Sequence, residues 1–261
     1  MGAGHGSGGL SAGYVAGTSP VHRLEPHVKL VAVLGFALVV VATPVHAAWS
    51  WAAYGGYLAL VLLAAAVAGV GPGRLARGLA IEVPFVLFAL LLPFVAQGPR
   101  VEVAGIAVSE SGLAAAGGLL AKATLSVLAA VVLSATTEPR ALLAGLERLR
   151  LPSLLVQILM FMIRYADVVG GELQRMRVAR ESRGFEGRNL GALRVLGPAA
   201  GSLFVRSYER GERVHLAMLS RGYTGRMPGG PVAVVPVQAW LTALVLPLGA
   251  AAVLVSGLLL G

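Results

Sequence analysis

Pro152-Ser153-Leu154-Leu155-Val156-Gln157-Ile158-Leu159-Met160-Phe161-Met162-Ile163-Arg164-Tyr165-Ala166-Asp167 is the stretch on which the fold turns. Leu154, Leu155, Ile158, Leu159, Met162 and Ile163 recur at helical spacing, and by hydropathy the run resembles the first half of a membrane span. Only about a dozen residues precede Arg164 and Asp167, whereas a bilayer core of roughly 30 Å calls for about 20 apolar ones. The expectation is therefore a helix of about 152–182 that lies against a membrane face or other helices. Its second half is charged, with Glu172, Arg175, Arg177, Arg180 and Glu181.

Outward from this stretch the chain stays helical and basic. Thr136-Thr137-Glu138-Pro139-Arg140 reads as a helix start, with Thr137 as N-cap and Pro139 in the first turn. A further helix of roughly 190–219 carries Leu193, Leu196, Leu203, Phe204, Tyr208 and Met218. Both long helices end on one signature, Ser-Arg-Gly-aromatic-x-Gly. It stands once as Ser182-Arg183-Gly184-Phe185-Glu186-Gly187 and again as Ser220-Arg221-Gly222-Tyr223-Thr224-Gly225. Residues 138–226 hold 15 of the 21 basic residues, all arginine, and 8 of the 12 acids. Gly184 and Gly222 suit left-handed helix caps, and an arginine in a last turn complements the helix dipole. Capping accounts for one such ending. Two copies in the same order equally suit a pair of arginines presented for docking, where the guanidinium fork bonds carboxylates and backbone acceptors. The residues alone leave both readings open.

Beyond this segment the chain is membrane-like. It is 57% hydrophobic and 13% charged with mean hydropathy +0.80, whereas soluble domains carry about 25% charge. The net charge of +9 sits beside apolar helices with few aromatics interleaved, which points to a lipid surface and not to nucleic acid. There is no cysteine, so thiolate metal sites and cysteine nucleophiles are excluded. Residues 1–19 are rich in Gly, Ser and Ala and read as a flexible tail without a cleavable signal, in which His5 is incidental. His22 and His27, in the polar lead-in that follows, read as interfacial residues. Spans are expected at about 28–42, 49–70, 79–96, 111–133 and 237–260. Trp49, Trp51, Tyr54 and Tyr57 would form an interfacial belt, and Pro84 and Pro93 would kink the third span. The fold class is all-α: a polytopic membrane protein with four spans in 20–137, cytoplasmic helices in 138–226, and a linker and last span in 227–261.

Loop charge sets the orientation. Arg23 and Lys29 precede the first span, Arg74 and Arg77 lie between the second and third, and the arginine-rich segment follows the fourth. The intervening loops carry none or Arg100 alone. The N-terminus and 138–226 are thus expected inside and the C-terminus outside. Glu82 and Lys122 fall within spans, where a charge is a functional candidate. The expectation is structural: Glu82 reaching Arg77 or water, Lys122 snorkelling, or the two paired. No cluster of metal-ligand residues is apparent, so no metal site is expected in this chain.

The chain resembles the transmembrane coupling (T) component of energy-coupling factor transporters, most closely the cobalt-type CbiQ family. The resemblance rests on Ser19-Pro20-Val21-His22-Arg23-Leu24 through His27-Val28-Lys29-Leu30, on Thr137-Glu138-Pro139-Arg140, Leu151-Pro152 and Arg164-Tyr165, and on the two terminal motifs. It covers nearly the whole chain after the tail. The family motif is Ala-Arg-Gly-like; both copies here read Ser-Arg-Gly, another small residue in the first place. The resemblance implies that Arg183 and Arg221, flanked by Ser182, Gly184, Ser220 and Gly222, dock into grooves on two ABC-type ATPase subunits. It implies a coupling role for 138–226, which would carry ATP-driven motion to a separate metal-capturing membrane subunit, possibly with a small accessory membrane subunit. The transported ion would be Co2+ or Ni2+, in a prokaryotic cell (inner) membrane.

No Gly-x-x-x-x-Gly-Lys-Ser/Thr loop is present, so ATP would be used by the partners and no cofactor bound by this chain. A membrane enzyme would need convergent acid–base groups, and the four acids outside 138–226 are scattered. A stand-alone permease is permitted by the intramembrane charges, but internal repeats are not apparent. Within the family, the alternative is a shared T component that serves vitamin-binding subunits.

Overall fold

The computed structural model describes residues 13–103, 106–184, 193–225 and 236–260. Two compact units emerge, Gly13–Gly145 with Val234–Gly261, and Leu146–Ala233. His5, Phe185, Glu186, Gly187, Arg226 and the expected linker up to residue 235 lie outside the described residues.

The first unit is a helical bundle. A single turn, α1 (Pro20–Arg23), leads into α2 (Pro26–Ala42), which starts on a proline whose missing N–H costs nothing in a first turn. Then come α3 (Ser50–Val67), α4 (Pro72–Leu79), a 3-10 turn (Ala80–Glu82) and α5 (Val83–Val95). α6 (Glu110–Thr136) and α7 (Pro139–Arg148) follow, and α10 (Val237–Leu260) returns to close the bundle against α2 and α3. The 3-10 turn has a local cause: Pro84 has no N–H for the Ala80 carbonyl, and its ring would crowd that carbonyl. The expected break near Pro84 is therefore present, although the helical run begins at Pro72 and not at Leu79. Pro93 lies inside α5, which continues past it to Val95.

One buried cluster forms the main core. Phe36 and Val40 of α2, Tyr54, Tyr57 and Val61 of α3, Leu125 and Leu128 of α6, and Ala250 of α10 pack as one cluster. Tyr54 and Tyr57 thus leave the expected interfacial belt, whereas Trp51 is more than half exposed. Tyr57 can be buried because its hydroxyl bonds the Thr43 hydroxyl at 3.1 Å and its ring meets Phe36 edge to face. Outward, α5 presents Phe85, Leu87, Phe88, Leu90, Leu91 and Phe94 without cover, as a lipid-facing helix does.

A hairpin breaks the all-helical pattern. β1 (Arg100–Val103) pairs antiparallel with β2 (Ile106–Ser109), with Val101 opposite Val108 and Glu102 opposite Ala107. Sequence reading expected only a loop here. The alternation Val101-Glu102-Val103 was its signal, in segments of four residues.

Five described helical runs are long and apolar enough to cross a membrane: Ser50–Val67, Pro72–Val95, Glu110–Thr136, Ser153–Glu181 and Val237–Leu259. The number agrees with expectation and the membership differs. Pro26–Ala42 has 17 residues, about 26 Å at 1.5 Å each, and falls just short. The helix begun by the decisive stretch qualifies because it runs on through Arg164 and Asp167 without a break.

Both lysines of the chain, Lys29 and Lys122, cap helix ends. Lys122 of α6 donates from Nζ to the carbonyl of Val41, in the last turn of α2, at 2.8 Å. Lys29 of α2 donates to the carbonyl of Thr136, the last residue of α6, at 2.9 Å. The last carbonyls of a helix lack intrahelical donors and carry the negative end of its dipole, so a cation there is doubly favourable. α2 and α6 thus cap each other. Thr137 accordingly does not serve as the expected N-cap. Its hydroxyl accepts from Lys29 at 3.1 Å, and α7 starts at Pro139. Glu82 is buried and accepts from the Thr124 hydroxyl at 2.8 Å. It pairs with neither Lys122 nor Arg77, whose Nε donates to the Gly73 carbonyl.

The second unit is built on α8 (Ser153–Glu181) and α9 (Leu193–Leu219). The chain enters it through a tight reversal. Leu151 N–H bonds the Leu146 carbonyl and Arg150 N–H bonds the Glu147 carbonyl, a Schellman ending with Arg150 at φ 68° and Pro152 just beyond. α8 and α9 run antiparallel. Glu172 of α8 takes Arg206 at 3.1 Å and Arg210 at 3.4 Å, and Gln157 near the start of α8 meets Tyr223 just past the end of α9.

Candidate functional site

The two Ser-Arg-Gly endings fold alike. At the end of α8, Gly184 N–H donates to the Glu181 carbonyl at 3.0 Å and Gly184 has φ 77°. At the end of α9, Gly222 N–H donates to the Leu219 carbonyl at 3.0 Å and Gly222 has φ 84°. Tyr223 N–H adds the longer bond to the Met218 carbonyl, completing a Schellman motif. A positive φ costs an L-residue and not a glycine, which is why glycine stands at both places. Arg183 and Arg221 occupy the preceding position, the last before the chain turns, and both are exposed.

The serines match as well. Ser182 Oγ donates to the Ala179 carbonyl at 3.0 Å, and Ser220 Oγ donates to the Ala217 carbonyl at 3.0 Å. Each hydroxyl proton is thus turned back along its own helix, beside an exposed arginine. The capping reading is therefore realised at both ends. Its hydrogen bonds run through the backbone and the serine hydroxyls, and the two arginines add a favourable charge at each helix end.

The surroundings of the two ends differ. Arg221 lies beside a cavity of about 740 Å³ lined by Phe161, Arg164, Tyr165, Met218 and Tyr223 among others. Phe161 and Tyr165 stack at 6.3 Å between centroids. Tyr223 is held to α8 by a 2.7 Å bond from its hydroxyl to Gln157 Oε1. Because α9 ends level with the first turns of α8, and Arg183 lies two residues past the end of α8, the two arginines stand at opposite ends of the helix pair. At 1.5 Å per residue, the separation along α8 is on the order of 30–40 Å.

Sequence reading named both arginines and missed what holds the second. A hydrogen bond between residues 66 positions apart leaves no periodic trace. Glu82 and Lys122, the other candidates, are engaged in structural bonds within the first unit. Among the described residues no group of three or more His, Cys, Asp or Glu stands close enough to hold a metal ion.

Residues 17–229 match the model of a family described as CbiQ, cobalt transport protein. Among curated proteins, the energy-coupling factor transporter transmembrane protein EcfT of Listeria innocua is 27% identical over 226 residues, covering 81% of this chain and 83% of that one. The EcfT protein of Bacillus selenitireducens is 30% identical over 229 residues, covering 81% and 82%. That of Bacillus subtilis is 28% identical over 227 residues, covering 81% and 83%.

Proposed function

Because the chain belongs to the CbiQ cobalt transport protein family, as an EcfT-like transmembrane component of an energy-coupling factor transporter, we propose that it is a non-catalytic coupling subunit. Arg183 and Arg221 are its contacts to two ABC-type ATPase subunits, and α8 and α9 carry their motion to a separate substrate-binding membrane subunit. The observation that carries this reading is the duplicated ending: two exposed arginines set by the same capped turn at opposite ends of one helix pair. Two grooves on two separate subunits need that spacing, and one groove does not.

The membrane reading that supports it keeps Pro26–Ala42 as the first span, extended by the buried Thr43, and places Ser153–Glu181 at the inner face. Arg164 and Asp167 in mid-helix favour that face. Loop charge then puts the N-terminus and residues 138–226 in the cytoplasm of a prokaryotic cell and the C-terminus outside. Cobalt(II) or nickel(II) is the cargo, captured by a partner subunit, with a small accessory membrane subunit a further member of the assembly. A shared component serving vitamin-binding subunits is the second reading, favoured by relatives whose names specify no ion.

The test is co-expression with the partner ATPases. The double variant Arg183→Glu, Arg221→Glu should insert normally while losing co-purification with the ATPases and uptake of radioactive cobalt(II). Retained co-purification overturns the docking assignment. Uptake by the chain alone in vesicles, with no ATPase present, would make it a permease.

A further inference from the structure

The two lysine caps are unequal. At the end of α2, Lys122 donates to the Val41 carbonyl at 2.8 Å. At the end of α6, Lys29 is buried and donates to three acceptors: the His22 carbonyl at 3.3 Å, the Thr136 carbonyl at 2.9 Å and the Thr137 hydroxyl at 3.1 Å. A second orphan carbonyl of α6, that of Ala135, is taken by the N–H of Val15 at 2.9 Å. Val15 is itself fixed. Its carbonyl can only accept, so His22 Nε2 carries the proton in their 3.0 Å bond, and Nδ1 is left to accept from the Ser19 hydroxyl at 2.7 Å. On the far side of the elbow, a Cβ on Gly145 of α7 would lie 2.8 Å from the backbone nitrogen of His27, so α7 sits directly on the start of α2. The elbow is where the chain passes from the first unit through α7 into residues 146–233.

We infer that residues 15–29 form a clamp that keeps the α6–α7 elbow stiff, with Lys29 as its pin, so that Lys29 is a positioning residue for coupling. A compliant elbow would absorb displacement between the two units; a stiff one passes it on. The effect on transport rests on the coupling-subunit reading, whereas the stiffness of the elbow does not. A methyl-ended side chain of similar length fills the space of Lys29 and leaves the carbonyl of Thr136 and the hydroxyl of Thr137 without their donor.

The experiment uses the chain assembled with its ATPases in lipid vesicles and takes three measurements on K29M, K29R and T137V. Hydrogen exchange of the amides of residues 137, 138 and 140–142 reads the elbow. The cobalt(II) taken up per ATP hydrolysed reads coupling, and co-purification reads assembly. K29M should speed elbow exchange at least tenfold and lower uptake per ATP at least tenfold, with co-purification unchanged; K29R should lie between K29M and the unsubstituted chain. Because the chain has no cysteine, G13C with S134C offers a clean cross-link at the same place, where a Cβ on Gly13 would lie 3.9 Å from Ser134 Oγ. Oxidation of that pair in K29M should restore both exchange and uptake. Elbow exchange in K29M at the unsubstituted rate overturns the clamp, as does failure of the formed cross-link to slow that exchange; slowed exchange without restored uptake overturns the positioning role of Lys29 in coupling. Should K29M not accumulate, T137V removes one acceptor alone, and unchanged exchange there is equally decisive against it. Loss of co-purification in the unsubstituted chain would instead strike the coupling reading, while the exchange measurement still judges the clamp.

Discussion

The Tyr223 hydroxyl donates to Gln157 Oε1 at 2.7 Å and so ties the turn that ends α9 to the opening turn of α8. Arg221 stands two residues before that tie, in the same capped turn. Removing one partner of a half-buried hydrogen bond costs about 1 kcal/mol, and removing both for apolar groups of like shape costs less than the sum. Y223F and Q157L should each lower the melting temperature of the purified chain, and the double variant should be no worse than the poorer single. Additive losses would show that the two residues act separately.

The glycine turns separate stability from contact. Gly184 and Gly222 have open space where a Cβ would go, so alanine there meets no clash and pays only for its positive φ, about 1 kcal/mol each. G184A and G222A should therefore reduce melting temperature, whereas R183A and R221A should leave it unchanged and weaken retention of ATPase subunits. A pull-down beside a thermal melt checks both.

Arg150 offers the converse. It holds φ 68° in the reversal before Pro152, a conformation that suits glycine. R150G should stabilise the chain by about 1 kcal/mol if the strain is purely structural. A chain that becomes more stable and couples less well would mark the arginine as retained for function.

Glu82 and Lys122 are engaged separately, with Thr124 and with the Val41 carbonyl. The double reversal E82K with K122E should accumulate in membranes no better than either single reversal. Recovery in the double would require an ion pair that the structure does not contain. E82Q, which keeps an oxygen for Thr124, should change accumulation little.

What was legible in the sequence was local. A glycine in the left-handed turn after a last helical residue declares itself by type and place, so both Ser-Arg-Gly endings were readable, and helical spacing gave α8 and α9. What escaped was decided by partners distant along the chain. Lys29 finds Thr136 and Thr137 more than a hundred positions away, and Tyr57 finds Thr43 across a turn, which moved a presumed surface aromatic into the core. The hairpin escaped for another reason: four residues to a strand give alternation too little length to stand out. The helix that starts at Pro152 was legible over its whole length, because helical spacing carries it past Arg164 and Asp167 to Glu181.

Ser182 and Ser220 carry one more consequence. Each hydroxyl gives its proton to a carbonyl of its own helix. It therefore faces solvent as an acceptor and no longer as a donor. A partner surface that meets either serine can give it a proton but cannot take one from it.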